Sequence, residues 1–227
     1  MKDISGLEQT IQVSFRDIML LHQALVHRSY LNENPDFELG SNERLEFLGD
    51  SMLSAVVAEK LYREHPDLPE GDMTKLRSAL VRGETLARIS RRLNLADYLY
   101  LGRGEEAGGG RARQSILADV LEAVIGAVFL DQGFDACRSL ILRLFESEIE
   151  KAVAPGLNAD YKSRLQELMQ SRRLDVPEYR IVSAEGPDHA REYVVEVAVG
   201  GRVMGRGKGK SKREAEKEAA RAALEVL

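Results

Sequence analysis

Apolar and polar positions follow two different periods along the chain, and the change of period divides it. Up to about residue 151, apolar residues recur every three or four positions, the spacing of helices with one buried face. Ile18, Leu21, Leu25 and Val26 keep this period after Ser14-Phe15-Arg16-Asp17, so residues 5–30 predict short helices. Asn32–Ser41, with Pro35 and Gly40, predicts a loop, and Ser41 or Asn42 suits the N-cap of a helix from 42 to about 64. Glu64-His65-Pro66 ends that helix and Asp67–Gly71 forms a turn. Leu76, Leu80, Leu86, Ile89 and Leu93 continue the helical pattern, broken near Gly83. Leu101–Gln114 holds five glycines with Arg103, Arg111 and Arg113 and predicts a flexible basic loop. Ser115–Leu130 is apolar all round except for Asp119 and Glu122, the pattern of a central helix, and residues 134–151 predict a last helix.

Pro155 and Gly156 mark a linker over 152–159, and from residue 160 the period changes. Lys162–Met169 is helical. Tyr179–Ser183, Glu192–Val199 and Arg202–Arg206 read as strands, with a turn over Glu185–His189 and a tight hairpin at Gly200-Gly201. Ser211–Leu227, rich in alanine and charge, is a final helix. The expected organisation is an all-α domain over 1–151 and a small α+β module of order α-β-β-β-α over 160–227.

Composition adds limits. Hydrophobic residues make up 44% and charged residues 30%, as in soluble globular proteins. No apolar run reaches membrane-spanning length, and Met1–Ser5 does not open a signal peptide. A single cysteine, Cys137, excludes an internal disulfide and a cysteine metal cluster. A cytoplasmic protein away from membranes is expected. The net charge of −5 hides an asymmetry: residues 160–227 carry 14 Lys and Arg against 12 Asp and Glu, the rest 18 against 25.

Candidate chemistry lies in two helices. Glu43, Glu46 and Asp50 share a helix face, with Leu45, Leu48 and Met52 expected on roughly the opposite one. Clustered like charges destabilise a helix. Either a cation offsets them, or the face is simply solvated with Arg44 nearby, and this stretch alone does not choose. Asp119 and Glu122 are sharper. Two carboxylates in an apolar helix are costly unless paired or bound to a metal, and the metal reading is favoured over a neutralising Arg or Lys. Carboxylate ligands without Cys or His suit Mg²⁺ or Mn²⁺ rather than Zn²⁺. His22 and His27, among apolar positions, are expected to be structural or capping residues. Glu70 and Asp72 have a simple structural reading as first-turn acids.

A basic cluster closes the chain: Arg202, Arg206, Lys208, Lys210, Lys212 and Arg213, with no acid among them and Gly205, Gly207 and Gly209 expected to keep the segment open. Ser211 caps the last helix and sets Lys212 and Arg213 at its N-terminus, a footprint for a nucleic-acid backbone.

Asn42-Glu43-Arg44-Leu45-Glu46-Phe47-Leu48-Gly49-Asp50-Ser51 resembles the signature of ribonuclease III, and Gly71–Arg82 and the Asp119/Glu122 helix follow in that family's order. Residues 160–227 resemble the double-stranded RNA-binding domain of its bacterial members. The resemblance implies a homodimeric, Mg²⁺-dependent endoribonuclease of double-stranded RNA, acting on ribosomal RNA precursors and other structured RNA. It implies 5′-phosphate and 3′-hydroxyl ends and a short 3′ overhang. It assigns Glu46, Asp119 and Glu122 to metal, Asp50 and Glu122 to catalysis, and Glu43 and Glu70 to the RNA-processing centre. In the module it implies minor-groove contacts from about Gln166 and Glu167 and from the turn Gly186, Pro187, Asp188 and His189. Phosphate contacts fall to Lys212 and Arg213, beside Lys208, Lys210 and Ser211. Glu216 stands where many such modules have lysine, and Lys217 is expected to compensate in part. Two alternatives stand beside this. A binding-only relative is expected to have lost some of Glu46, Asp50, Asp119 and Glu122, all present here. A di-iron carboxylate bundle needs Glu-x-x-His pairs, which the sequence lacks.

Overall fold

The computed structural model describes residues 1–153, 161–187 and 191–227. The chain forms two compact units, Met1–Leu157 and Asn158–Leu227, each with its own hydrophobic core. Periodicity predicts an all-α unit followed by an α-β-β-β-α unit, and this is what the chain adopts.

The first unit runs α1 (Ser5–Ile11), α2 (Ile18–Ala24), α3 (Arg28–Glu33), α4 (Glu43–Glu64), α5 (Glu70–Leu80), α6 (Gly83–Arg92), α7 (Leu95–Tyr98), α8 (Arg103–Ala107), a 3₁₀ turn (Gly110–Ala112), α9 (Gln114–Gln132) and α10 (Phe134–Val153). Helix α9 is central because nearly every side chain on it is apolar: residues 116–118, 120, 121 and 123–128 are all buried. Helices α2, α4, α6 and α10 pack around it.

Four local expectations are corrected. The buried seam of α4 is Leu45, Gly49, Leu53, Val56, Val57 and Leu61, while Leu48 and Met52 are only half-buried. At about 100° per residue this seam lies beside the acidic stripe, not opposite it. Asn42 has helical backbone angles and its side chain does not cap α4; Ser41 Oγ instead donates to Glu43 Oε2 at 2.8 Å. Residues 101–114 are not a flexible basic loop. They fold into α8 and the 3₁₀ turn, held by Arg111–Glu106 and Arg113–Glu105 ion pairs at 2.6 Å each. The fourth concerns the glycines of the second unit.

Both histidines take structural roles. His27 caps α3 by accepting the Ser29 N–H at 3.2 Å on Nδ1, and His22 Nδ1 pairs with the Tyr100 hydroxyl at 3.2 Å. Glu148 is a buried carboxylate that the periodicity does not announce. Arg88 Nη2 donates to it at 2.6 Å, tying α6 to α10, and this hydrogen bond and charge hold its pKa below the usual carboxylate value.

The second unit runs α11 (Tyr161–Ser171), β1 (Glu178–Glu185), β2 (Glu192–Val199), β3 (Arg202–Gly209) and α12 (Lys212–Glu225). The strands form an antiparallel sheet in the order β1-β2-β3. Gly200 and Gly201, at φ 55° and 78°, supply the positive angles of the hairpin between β2 and β3. Leu165, Met169, Val195, Val197 and the alanines 215, 219, 220 and 223 form the core. Gly205, Gly207 and Gly209 do not hold the chain open. They lie in β3, and a Cβ on any of them would come within 2.2–2.6 Å of the α12 backbone. Alanine on the helix and glycine on the strand let α12 rest directly on the sheet, which fixes where its N-terminus points.

Candidate metal centre and nucleic-acid interface

Helices α4 and α9 cross in opposite directions, with Leu45 against Gly126 and Gly49 against Glu122. The crossing puts Glu46, one turn before Gly49, beside the polar edge of α9. Carboxylate oxygens of Glu46, Asp119 and Glu122 all lie within 4.8 Å of one another, and all three residues are half-buried. Among the described residues none of the three, nor Asp50, is in an ion pair with an arginine or lysine.

The electrostatics follow from that. Burial and the charges of Asp50, Glu46 and Asp119 raise the Glu122 pKa to about 8. Burial also raises Glu46, with Asp119, Glu43 and Asp50 adding to it. Asp119 is raised by burial, opposed by the charge of His27. Glu148 has the opposite sign because arginine serves it. An acid with a structural partner is held ionised; these three are held toward the neutral form. Three hard oxygen donors with no arginine or lysine paired to them among the described residues fit a divalent cation such as Mg²⁺, and the cation would remove the penalty that burial imposes.

The sign of the stability effect can be tested. The Glu122 pKa is raised on folding from 4.5 to about 8, so its contribution is full below about 4.5 and is lost as pH rises through about 8. In chelator, the Tm of the wild-type chain is expected to fall between pH 5.5 and 8.5 more steeply than that of Glu122→Gln. Parallel Tm curves would show that Glu122 titrates normally.

Asp50 is exposed on α4, one turn from Glu46, and acts electrostatically on both Glu46 and Glu122. Glu43 stands farther out, 3.8 Å from Arg28. Glu70 opens α5, where Thr74 Oγ1 donates to its Oε1 at 2.9 Å. Both are exposed, at the ends of their helices. Sequence reasoning missed the part of Gly49 and Gly126, whose signal is two glycines in helices that otherwise favour larger residues.

In the second unit Gln166 and Glu167 are exposed on α11, and Gly186 (φ 100°) and Pro187 are exposed after β1. Asp188 and His189 lie outside the described residues. Lys210, Lys212 and Arg213 are exposed around the start of α12. Ser211 Oγ accepts the Glu214 N–H at 3.2 Å while Glu214 Oε2 accepts the Lys210 N–H at 2.8 Å, a reciprocal cap. The cluster is less free of acid in space than in sequence. Arg206 bonds Glu196 across the sheet and Lys208 Nζ lies 3.9 Å from Glu192. Glu216 bonds Lys162 at 2.8 Å, joining α11 to α12, and Lys217 stands over the Tyr161 ring at 5.9 Å. The Glu216 contact therefore serves the packing of the module.

A family model described as Ribonuclease-III-like matches residues 17–148, and one described as Double-stranded RNA binding motif matches residues 161–227. The chain is 48% identical to Ribonuclease 3 of Dehalococcoides mccartyi (strain CBDB1), over 99% of this chain and 95% of that protein. It is 47% identical to Ribonuclease 3 of Roseiflexus sp. (strain RS-1), over 100% and 96%. Among solved structures it is similar to a nuclease domain of ribonuclease III from Campylobacter jejuni described as flexible in a region involved in dimer formation. The TM-score is 0.59 and the identity 42%, over 66% of this chain and 99% of that one.

Proposed function

Because the chain belongs to the ribonuclease III family and is an endoribonuclease of double-stranded RNA, we propose that Glu46, Asp119 and Glu122 hold its metal, with Mg²⁺ the resident ion and Mn²⁺ a substitute. The observation that carries this reading is three carboxylates from two helices within 4.8 Å, with no arginine or lysine ion pair on them among the described residues. The bound ion supplies charge on the scissile phosphate and a more acidic water. The side chains do the rest. Glu122 would hold the ion in its ionised form, and its carboxylate would orient the phosphate and the water. Asp50, on the solvent side, takes the proton of the attacking water at a carboxylate oxygen. Attack of the water oxygen on phosphorus breaks the bond to the 3′-oxygen, which takes a proton from solvent, leaving 5′-phosphate and 3′-hydroxyl ends. Glu43 and Glu70 steer the substrate at the rim.

The chain works as a homodimer, each subunit cutting one strand to leave a short 3′ overhang. Phe47 supports this: it is 77% exposed on the acidic helix, a large apolar side chain with no place in the core of its own subunit. The second unit reads duplex shape, through Gln166, Glu167, Gly186, Pro187, Asp188 and His189 in minor grooves, and through Lys208, Lys210, Ser211, Lys212 and Arg213 on phosphates. Lys217, one turn into α12 from Arg213, adds a further cation to that surface. Among the described residues no helix is long and apolar enough to cross a membrane, in keeping with work on ribosomal and messenger RNA precursors in the cytoplasm.

The test is incubation of the full chain with a long RNA duplex. In Mg²⁺ it is expected to yield short duplexes with 5′-phosphates; in chelator it is expected to bind without cutting. Equal cleavage in chelator would remove the metal from the reaction.

A further inference from the structure

The three acids meet because α4 and α9 touch through their backbones. A Cβ built on Gly49 would lie 1.8 Å from the carbonyl oxygen of Glu122, 2.6 Å from its carbonyl carbon and 3.0 Å from the Gly126 nitrogen. A Cβ on Gly126 would lie 2.2 Å from the Leu45 carbonyl oxygen and 3.2 Å from the Gly49 nitrogen. The contact is reciprocal: each glycine faces the other. Neither is among the glycines with positive φ, so the helical conformation does not call for glycine at either place. Within a helix, glycine is less favourable than alanine. What the two residues supply is proximity.

That proximity falls at the acids. Gly49 follows Glu46 by one turn and Gly126 follows Glu122 by one turn, so each glycine shares a side of its helix with an acid of the cluster. The atom that Gly49 meets belongs to Glu122 itself. We propose that Gly49 and Gly126 are positioning residues whose missing side chains set the spacing of the metal-holding carboxylates and tune it to a small ion. The proposal rests on the reading of Glu46, Asp119 and Glu122 as a cation site.

The tolerance is narrow. Mg²⁺ binds oxygen at about 2.0–2.1 Å in a near-octahedral shell, so two oxygens on one ion are at most about 4.2 Å apart. The carboxylate oxygens lie within 4.8 Å, a span that small side-chain rotations close. Restoring a 3.0 Å approach would part the helices by about 0.8 Å at Gly126 and 1.2 Å at Gly49. Either displacement is larger than the difference between the 4.8 Å span and the limit of about 4.2 Å for Mg²⁺. Ca²⁺ binds oxygen at about 2.3–2.6 Å with looser geometry and accommodates the wider site.

Binding of Mg²⁺ and of Ca²⁺ to the RNA-free full chain, measured by calorimetry, tests this. Gly126→Ala is expected to weaken Mg²⁺ at least ten-fold and Ca²⁺ less than three-fold. Val124→Ala, which opens a small hole elsewhere on buried α9, is expected to leave the Mg²⁺/Ca²⁺ ratio at the wild-type value. A folded Gly126→Ala with an unchanged ratio overturns the proposal. So does failure of both Gly126→Ala and Gly49→Ala to melt cooperatively, because the glycines would then serve the fold alone. Wild-type Mg²⁺ binding that survives Glu46→Gln with Asp119→Asn would instead overturn the underlying metal site.

Discussion

Glu122→Gln is expected to lower cleavage of a long RNA duplex by roughly 10³-fold or more at pH 7.5 in Mg²⁺, in line with the several kcal/mol a polarising ion supplies. Duplex affinity measured in chelator is expected to stay within about two-fold of wild type, since phosphate contacts dominate it. The substitution keeps size and one oxygen while removing the carboxylate that the ion needs. The fold should not suffer: Glu122, with its pKa raised to about 8, is mainly protonated at neutral pH without metal. A variant that melts like wild type in chelator and no longer gains stability from Mg²⁺ places the loss in ion binding. Mg²⁺-dependent cleavage at the wild-type rate would take Glu122 out of the mechanism.

Lys212→Ala combined with Arg213→Ala is expected to weaken duplex binding by roughly 10- to 100-fold near 0.1 M salt and to lower the slope of log K against log salt by about 2, one per lost phosphate contact. The reciprocal cap between Ser211 and Glu214 does not involve either side chain, so α12 should keep its start. Cleavage at saturating duplex should be unchanged, with the loss confined to KM. An unaltered salt slope would move the phosphate contacts to other cations, such as Arg202.

The helices of the first unit were legible because α4 and α9 carry long, uninterrupted periods, and the acids of α9 stood out against an apolar background. The buried side of α4 was not. Leu48 and Met52 are better hydrophobes than Gly49, yet Gly49 is the residue buried against Glu122. Which side turns inward depends on how closely the partner helix approaches, and a local pattern does not carry that. Glycine misled twice more. Between 101 and 114 it suggested mobility, but Glu105 and Glu106 are near enough in sequence to hold Arg113 and Arg111 and set two short turns. In β3 it shortened the expected strand, because strand propensity ignores the helix lying on top. The link between Glu148 and Arg88 was invisible because its partners are 60 residues apart.

The two hydrophobic cores have no residue in common. Each unit has the apolar interior that independent folding needs, and the chain is expected to melt in two steps. Carried on one chain, a duplex caught by the second unit is presented to the first at an effective concentration that can reach the millimolar range. Catalytic power and target capture are thus separable quantities, and trimming the second should be felt when RNA is scarce and go unnoticed when it is abundant.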